Sequence, residues 1–500
     1  MRVRTGFTAG LVAAALCAGA ATAQPQSPPS SPQGPPAGRD QACPPSSDPS
    51  LCLGYRPYGG LGRTLDPAEY PYPYQDPYLA TMTAAGLSPD GVTRGAKREV
   101  VQVPVLPGRD GVPLLEGRGT ASVALYRQPQ RAPLMFILGG VGSNPYFGLA
   151  PYYAALFQKH GAHVVVLPSP MTWNFALAAS RSATPGFTPD DARDVYQLME
   201  ATLAVLRARH GVEATSVHFM GVSLGALEGA YLSVLDADEG RIGIQQYLLV
   251  NPPPDLGYAL GKLDEWLALG AVLGRERAGR AGMRARGAVE DYIEDRRTNR
   301  HATFDRAAEV FSSMSKEELQ FVIAQYIRLV LPELVYVTQA VGEQRVPATK
   351  QEARARLREA KAFTLRAYEE RIAVPRRQQV EPGVTAESLH ARGSLRPILD
   401  RLRANPRVHI MHNADDVLAD RAAIEELKAA MGEQMTLYPY GGHLGNLWFA
   451  HNQEDILRYF QGPTVGRSLS SGAPPSGAPS AGPGAATGRS AQAVGVAAGR

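Results

Sequence analysis

Gly221-Val222-Ser223-Leu224-Gly225 sets a serine between two glycines. In that pattern a hydroxyl becomes a candidate nucleophile when a buried strand turns sharply into a helix, because the turn lifts the side chain clear of the sheet. The flanks read that way, with a short buried strand over 216–220 and a helix over 226–232. Small residues at Gly221, Gly225 and Ala226 let strand and helix approach closely. A helix N-terminus behind Ser223 adds free N–H groups and the positive end of a dipole, which suits a developing oxyanion.

A serine needs a base within hydrogen-bond reach and an acid to orient that base. The C-terminal part of the chain offers both. A strand over 407–411 leads into Asn413-Ala414-Asp415-Asp416, and a helix follows over about 421–431. A second strand, 434–439, leads into Gly441-Gly442-His443, with a helix near 453–459. An acid after one strand and a histidine after the next gives the chain order Ser, Asp, His. His451 is the rival to His443, but it falls near the start of the last helix, where capping or surface exposure is expected. His218 lies inside a strand and reads as a core histidine. Asp415 and Asp416 are adjacent and point in different directions, so the residues alone leave both open.

With the elbow, the acid loop and the Gly-Gly-His loop in this order, the chain resembles the α/β-hydrolase superfamily over residues 95–253 and 396–462. The resemblance implies an α/β fold: a mostly parallel central sheet flanked by helices, with an inserted helical cap. It selects Asp416, the third residue after a turn position that Asn413 holds here. It also implies an oxyanion loop after the apolar strand 134–138, in Gly139-Gly140-Val141-Gly142-Ser143-Asn144. The oxyanion donors it assigns are the N–H groups of Val141 and Leu224. The family usually opens this loop with His-Gly, and Gly139 stands at the place of that histidine.

The chain has 500 residues, of which 44% are hydrophobic, enough to bury a large core. Its first 23 residues read as a signal peptide. Arg2 and Arg4 precede an apolar run that ends at an Ala21-Thr22-Ala23 cleavage site. The mature chain is expected to be exported, periplasmic or secreted, with no later transmembrane segment. Leu16 before Cys17 is a poor lipidation context, and removing the leader leaves Cys43 and Cys52. A pair in an exported chain is expected to form a local disulfide.

Residues 24–94 form a Pro- and Tyr-rich arm, extended at first and then expected to lie against the core; a glycan-stacking strip is the alternative. The two core parts are 95–254 and 396–462, separated by a helical cap over 255–395. Within the cap, Ser315-Lys316-Glu317-Glu318 is a capping box opening a helix with apolar residues from Phe321 to Val335. Arginine-rich stretches such as 275–277, 284–286 and 354–358 alternate with acids, and the net charge is only +4. They read as solvated faces with internal ion pairs. The tail 463–500 is Gly, Ala, Ser and Pro and reads as disordered.

No nucleic-acid motif, phosphate-binding Gly-Lys loop or metal-ligand spacing appears in the sequence, so no cofactor, metal or nucleic-acid partner is expected. The expected activity is a serine hydrolase cutting a carboxylic ester-type bond of a small or lipid-like substrate, through Ser223, His443 and Asp416. Peptidase, amidase or acyltransferase chemistry uses the same constellation. A noncatalytic envelope binding protein is the reading from another class.

Overall fold

The computed structural model describes residues 61–461, apart from 85–95, 107, 110, 116–118, 147 and 299–303. The leader, Cys43, Cys52, the first part of the arm and the tail lie outside the described residues. In chain order the first elements are α1 (Pro77–Thr83), β1 (Glu99–Val103), β2 (Ala121–Tyr126), β3 (Ala132–Leu138), α2 (Leu149–Lys159), β4 (His163–Leu167), α3 (Trp173–Ala178) and α4 (Thr188–His210). There follow β5 (Ala214–Val222), α5 (Leu224–Glu239), β6 (Gln246–Val250), α6 (Leu256–Thr298, broken at Gly274), α7 (Asp305–Ser312), α8 (Lys316–Arg328) and α9 (Leu331–Val337). Short helices α10 (Lys350–Ala360), α11 (Leu365–Tyr368), α12 (Val374–Gln378), α13 (Ala386–Gly393) and α14 (Leu399–Arg403) lead to β7 (Val408–Asn413), α15 (Arg421–Met431), β8 (Met435–Tyr438) and α16 (Ala450–Gln461).

Strands such as β4, with three consecutive valines, are buried at every position. That pattern belongs to a sheet covered on both faces rather than one. Among the described residues the sheet has eight strands in the order β1-β2-β4-β3-β5-β6-β7-β8. β1–β2 and β2–β4 pair antiparallel, and all later pairs are parallel. The carboxyl ends of β3, β5, β6, β7 and β8 therefore lie along one edge, where open α/β sheets carry their sites.

The segment 61–84 is part of the core. Residues 63–65 bridge to β8, with Leu65 N–H donating to the Leu437 carbonyl at 2.9 Å, so the outer edge of that strand is covered. Tyr70 and Tyr72 are buried, and their rings pack on Tyr438, Phe449 and Trp448 at 5.4–5.7 Å between centroids. Buried rings cannot stack on a sugar, so for Tyr70 and Tyr72 packing replaces the glycan strip. Tyr55 and Tyr58 lie outside the described residues.

Between β6 and β7 the chain is helical over most of its length. Ser315 accepts from the Glu318 N–H, and the Glu318 carboxylate accepts from the Ser315 N–H, completing the capping box. The apolar helix expected to run on to Val335 is instead broken. α8 ends at Arg328 and α9 restarts at Leu331 with Pro332 in its first turn. Proline lacks the N–H a continuous helix needs and clashes with the turn before it. Within Lys316–Gly342 an 18-residue stretch is apolar enough to cross a membrane by length and composition, with mean hydropathy 1.4. More than half of that stretch is buried within the protein, so its apolarity is explained by packing. The arginines pair locally, as in Arg286–Glu290 at 2.8 Å, Arg356–Glu352 at 2.6 Å and Arg277–Glu318 at 2.8 Å.

Behind the elbow helix lies a buried acidic group. Glu228 on α5 is 1% exposed, close to Asp191 and Asp194 of α4. Burial first, and then the two aspartates, push the Glu228 carboxyl well above the usual range. A raised folded value means stability that is full at low pH and lost as pH rises through it. Glu228→Gln keeps the shape without the titrating proton. Thermal melts from pH 5 to 9 should then show the wild type losing Tm toward the alkaline end and the variant losing less. Parallel curves would show that Glu228 does not set the alkaline limit.

Candidate active site

Ser223 sits between the last residue of β5 and the first of α5 with φ 54° and ψ −122°. This is positive φ at a residue with a side chain, a strained state held by its surroundings. Two glycines permit the turn. A Cβ on Gly221 would lie 2.2 Å from the Gly225 carbonyl oxygen, and one on Gly225 would lie 2.2 Å from that of Leu138. The elbow therefore rests directly on the end of β3. Gly225→Ala must push α5 away from that strand, at a cost of about 1–3 kcal/mol by overpacking. The expected result is a lower Tm together with a displaced Ser223. An alanine variant with wild-type Tm and reactivity would refute the close packing.

The histidine and acid arrive from the neighbouring strand ends. His443 Nε2 lies 2.8 Å from Ser223 Oγ, and His443 Nδ1 lies 3.0 Å from both carboxylate oxygens of Asp416. An ionised carboxylate only accepts, so Nδ1 carries the proton and Nε2 offers its lone pair to the serine hydroxyl. His443 and Asp416 are buried at 7% and 5% exposure, whereas Ser223 is half-buried and reachable. Burial alone would raise the Asp416 carboxyl, but adjacent His443 and the Leu418 N–H at 2.9 Å outweigh it and hold it below the usual range. Asn251, just past β6 with φ 48°, donates its side-chain N–H to Asp416 Oδ2 at 2.8 Å. Sequence reasoning missed Asn251; its only local signal is an asparagine ahead of three prolines at a strand end.

Asp415 faces elsewhere. Its carboxylate accepts from the N–H groups of Gly442 at 2.8 Å and Gly441 at 3.2 Å, the two residues before His443. Burial pushes its carboxyl up to about 7, against the pull of those two bonds. Asn413 and Asn446 brace the same turn. The Asn413 amide donates to the Gly442 carbonyl at 2.8 Å, and the Asn446 amide donates to Asn413 Oδ1 at 2.7 Å.

The loop after β3 lies against the serine. A Cβ on Gly140 would stand 2.9 Å from the Ser223 Cβ, which brings the Gly140–Val141 backbone alongside the nucleophile. Leu224 is the first residue of α5, so its N–H has no partner within the helix. These are the two groups expected to face an oxyanion. The cap reaches this loop: a Cβ on Gly142 would lie 2.3 Å from a methyl of Val330, the residue between α8 and α9.

Neither of the two other histidines weighed in the sequence, His451 and His218, joins the site. His451 was expected to cap the last helix or sit at the surface. It is instead 5% exposed, stacked on Phe449 at 4.7 Å between centroids and 8° between planes, so aromatic packing accounts for it. His218 is buried in β5 with Nε2 2.8 Å from Ser216 Oγ. Among the described residues no group of three or more His, Cys, Asp or Glu could hold a metal ion.

No protein-family model matches the chain, and comparison with curated proteins finds no match. Among solved structures, a thioesterase domain from the curacin biosynthetic pathway is 14% identical with a TM-score of 0.34, covering 72% of this chain and 99% of its own. Brefeldin A esterase, a bacterial homologue of human hormone-sensitive lipase, is 14% identical at 0.34, covering 77% and 84%. An acylaminoacyl peptidase of Pyrococcus horikoshii is 8% identical at 0.34, covering 73% and 40%. Such low similarity carries no substrate across to this chain. The strand order, the strained serine between β5 and α5, and the acid and histidine after β7 and β8 are features of this molecule itself, and by them the chain has the α/β-hydrolase fold.

Proposed function

We propose that this chain is a serine hydrolase that cleaves a carboxylic ester-type bond through an acyl-enzyme. The observation that carries the reading is the unbroken hydrogen-bond line from Ser223 Oγ through His443 to Asp416, at 2.8 and 3.0 Å. His443 Nε2 takes the proton of Ser223 as the oxygen attacks the carbonyl carbon. Asp416 keeps the proton on Nδ1 and stabilises the imidazolium that forms. The Val141 and Leu224 N–H groups bind the oxyanion. His443 then returns its proton to the leaving alcohol, and water releases the acid by the reverse sequence.

A noncatalytic binding role has less support, because a binding fold has no need of a strained serine aimed at a buried, acid-paired histidine. Amide, thioester and acyl-transfer chemistry remain the competitors within the catalytic class. A panel of matched esters, thioesters, amides and peptides at fixed enzyme separates them. Ester turnover supports the proposal, and cleavage of amides or peptides without esters overturns it. Export belongs to the same proposal, and a secreted product whose N-terminus is Gln24 is its expected mark.

A further inference from the structure

The segment ahead of the sheet touches the histidine turn more closely than any sequence pattern implies. The Thr81 hydroxyl of α1 accepts from the His443 backbone N–H at 2.9 Å and donates to the Pro77 carbonyl at 2.6 Å. A Cβ on Gly442 would lie 2.1 Å from the Pro77 carbonyl oxygen, and one on Gly445 would lie 1.9 Å from that of Ala80. The carbonyl side of α1 is therefore pressed against the bare faces of two glycines flanking His443. One turn on, Thr83 Oγ1 lies 2.8 Å from the Gly445 carbonyl oxygen and accepts from Trp448 Nε1 at 2.9 Å. Leu444, between these contacts, has φ 69°, so the turn is strained and needs outside support.

The same helix faces the cap. Tyr78 stacks edge-on to buried Trp266 of α6 at 5.7 Å, and its hydroxyl accepts from Gln320 of α8 at 3.1 Å. The Lys316 ammonium lies 5.2 Å from the centre of the Tyr78 ring. One short helix thus holds the His443 turn with one side and two cap helices with the other.

We infer that Thr81 is a positioning residue for His443, and that α1 ties the alignment of the histidine to the seating of the cap. This rests on the reading of Ser223 and His443 as nucleophile and base. Thr81 touches no reacting atom. It fixes the backbone from which the imidazole reaches Ser223, and small misplacement of a base is costly in rate. A cap that lifts carries Trp266 and Gln320 away from Tyr78, and frees the helix that holds Thr81.

The experiment is fluorophosphonate labelling of the full chain and of Thr81→Ala and Thr81→Ser, with ester kinetics and melts on the same samples. Alanine favours a helix, so Thr81→Ala should fold. The inference expects Thr81→Ala to label and turn over roughly 10–100-fold more slowly, with kcat reduced and KM little changed, and Thr81→Ser to restore most of the rate. Wild-type rates in folded Thr81→Ala overturn it. Equal loss in both variants also overturns it, since the hydroxyl would then not be the cause. Tyr78→Ala, on the cap side, should slow labelling several-fold at temperatures well below its melt; an unchanged rate overturns the tie to the cap. A folded wild type that does not label at Ser223 sinks the serine reading, and the inference with it, before any variant is compared.

Discussion

Ser223→Ala removes all covalent labelling by a fluorophosphonate and lowers ester turnover by roughly 10³–10⁶-fold, leaving only what an oxyanion site and binding supply. The variant should keep its fold, because alanine preserves the Cβ and drops only one half-buried hydroxyl. It also removes the hydrogen bond to His443 Nε2, a single bond of about 0.5–1.5 kcal/mol net, so Tm should fall by only a few degrees. Intact mass and peptide mapping read the result. A wild type that gains one adduct, mapped to Ser223, with none in the variant, establishes an activated nucleophile. Labelling that persists in Ser223→Ala would place the reactive residue elsewhere and reject the whole reading.

Asp416→Asn and Asp415→Asn should differ by orders of magnitude although the residues are neighbours. Asparagine at 416 can turn its amide donor toward His443 Nδ1. That favours the tautomer with the proton on Nε2, which cannot accept from the serine. The expected loss in kcat is about 10³–10⁴-fold. Asp415 acts on the backbone instead, through the Gly441 and Gly442 N–H groups, so Asp415→Asn should cost about tenfold.

The pH profiles should differ as well. The titratable groups that act on Asp415 include Asp416 beside it and Tyr72 from the arm. With its carboxyl raised to about 7, Asp415 is ionised above that pH and binds the two N–H groups most strongly there. As pH falls through 7 it takes up a proton and its grip on the turn weakens. Wild-type kcat should fall with it, and Asp415→Asn should lose that part of the acid limb while starting from a lower plateau. Asp416 behaves oppositely, since its carboxyl is held low and stays ionised until pH drops below the ordinary carboxylate range near 4. Equal effects of the two substitutions would contradict the separation of their roles.

The elbow was legible because its needs are local. A strand, a glycine, a serine, a glycine and a helix within some twenty residues leave few ways to fold, and β5, Ser223 and α5 follow one another as that pattern reads. The helix over 421–431 was legible as well, and the structure adds the Asp420 side chain that caps it. The apolar stretch after Ser315 was harder. Its composition favours one helix, and the break at Leu329–Val330 comes from Pro332. His451 shows the opposite failure: its place at a helix start suggested a cap, but neighbouring aromatic rings claimed it.

By itself, then, the sequence determined the kinds of chemical group present, their order along the chain, and the strand-to-helix turn that presents Ser223. The resemblance selects Asp416, and the fold sets it against His443; tertiary structure alone decided that Asn251 holds that aspartate and that Thr81 holds the histidine turn across a separation of 362 residues. The physical reason is range. Periodicity, capping and turn chemistry act over a few residues and leave a mark in composition. Hydrogen bonds between distant segments need only one donor and one acceptor, common groups that gain meaning when the sheet brings their strand ends to one edge.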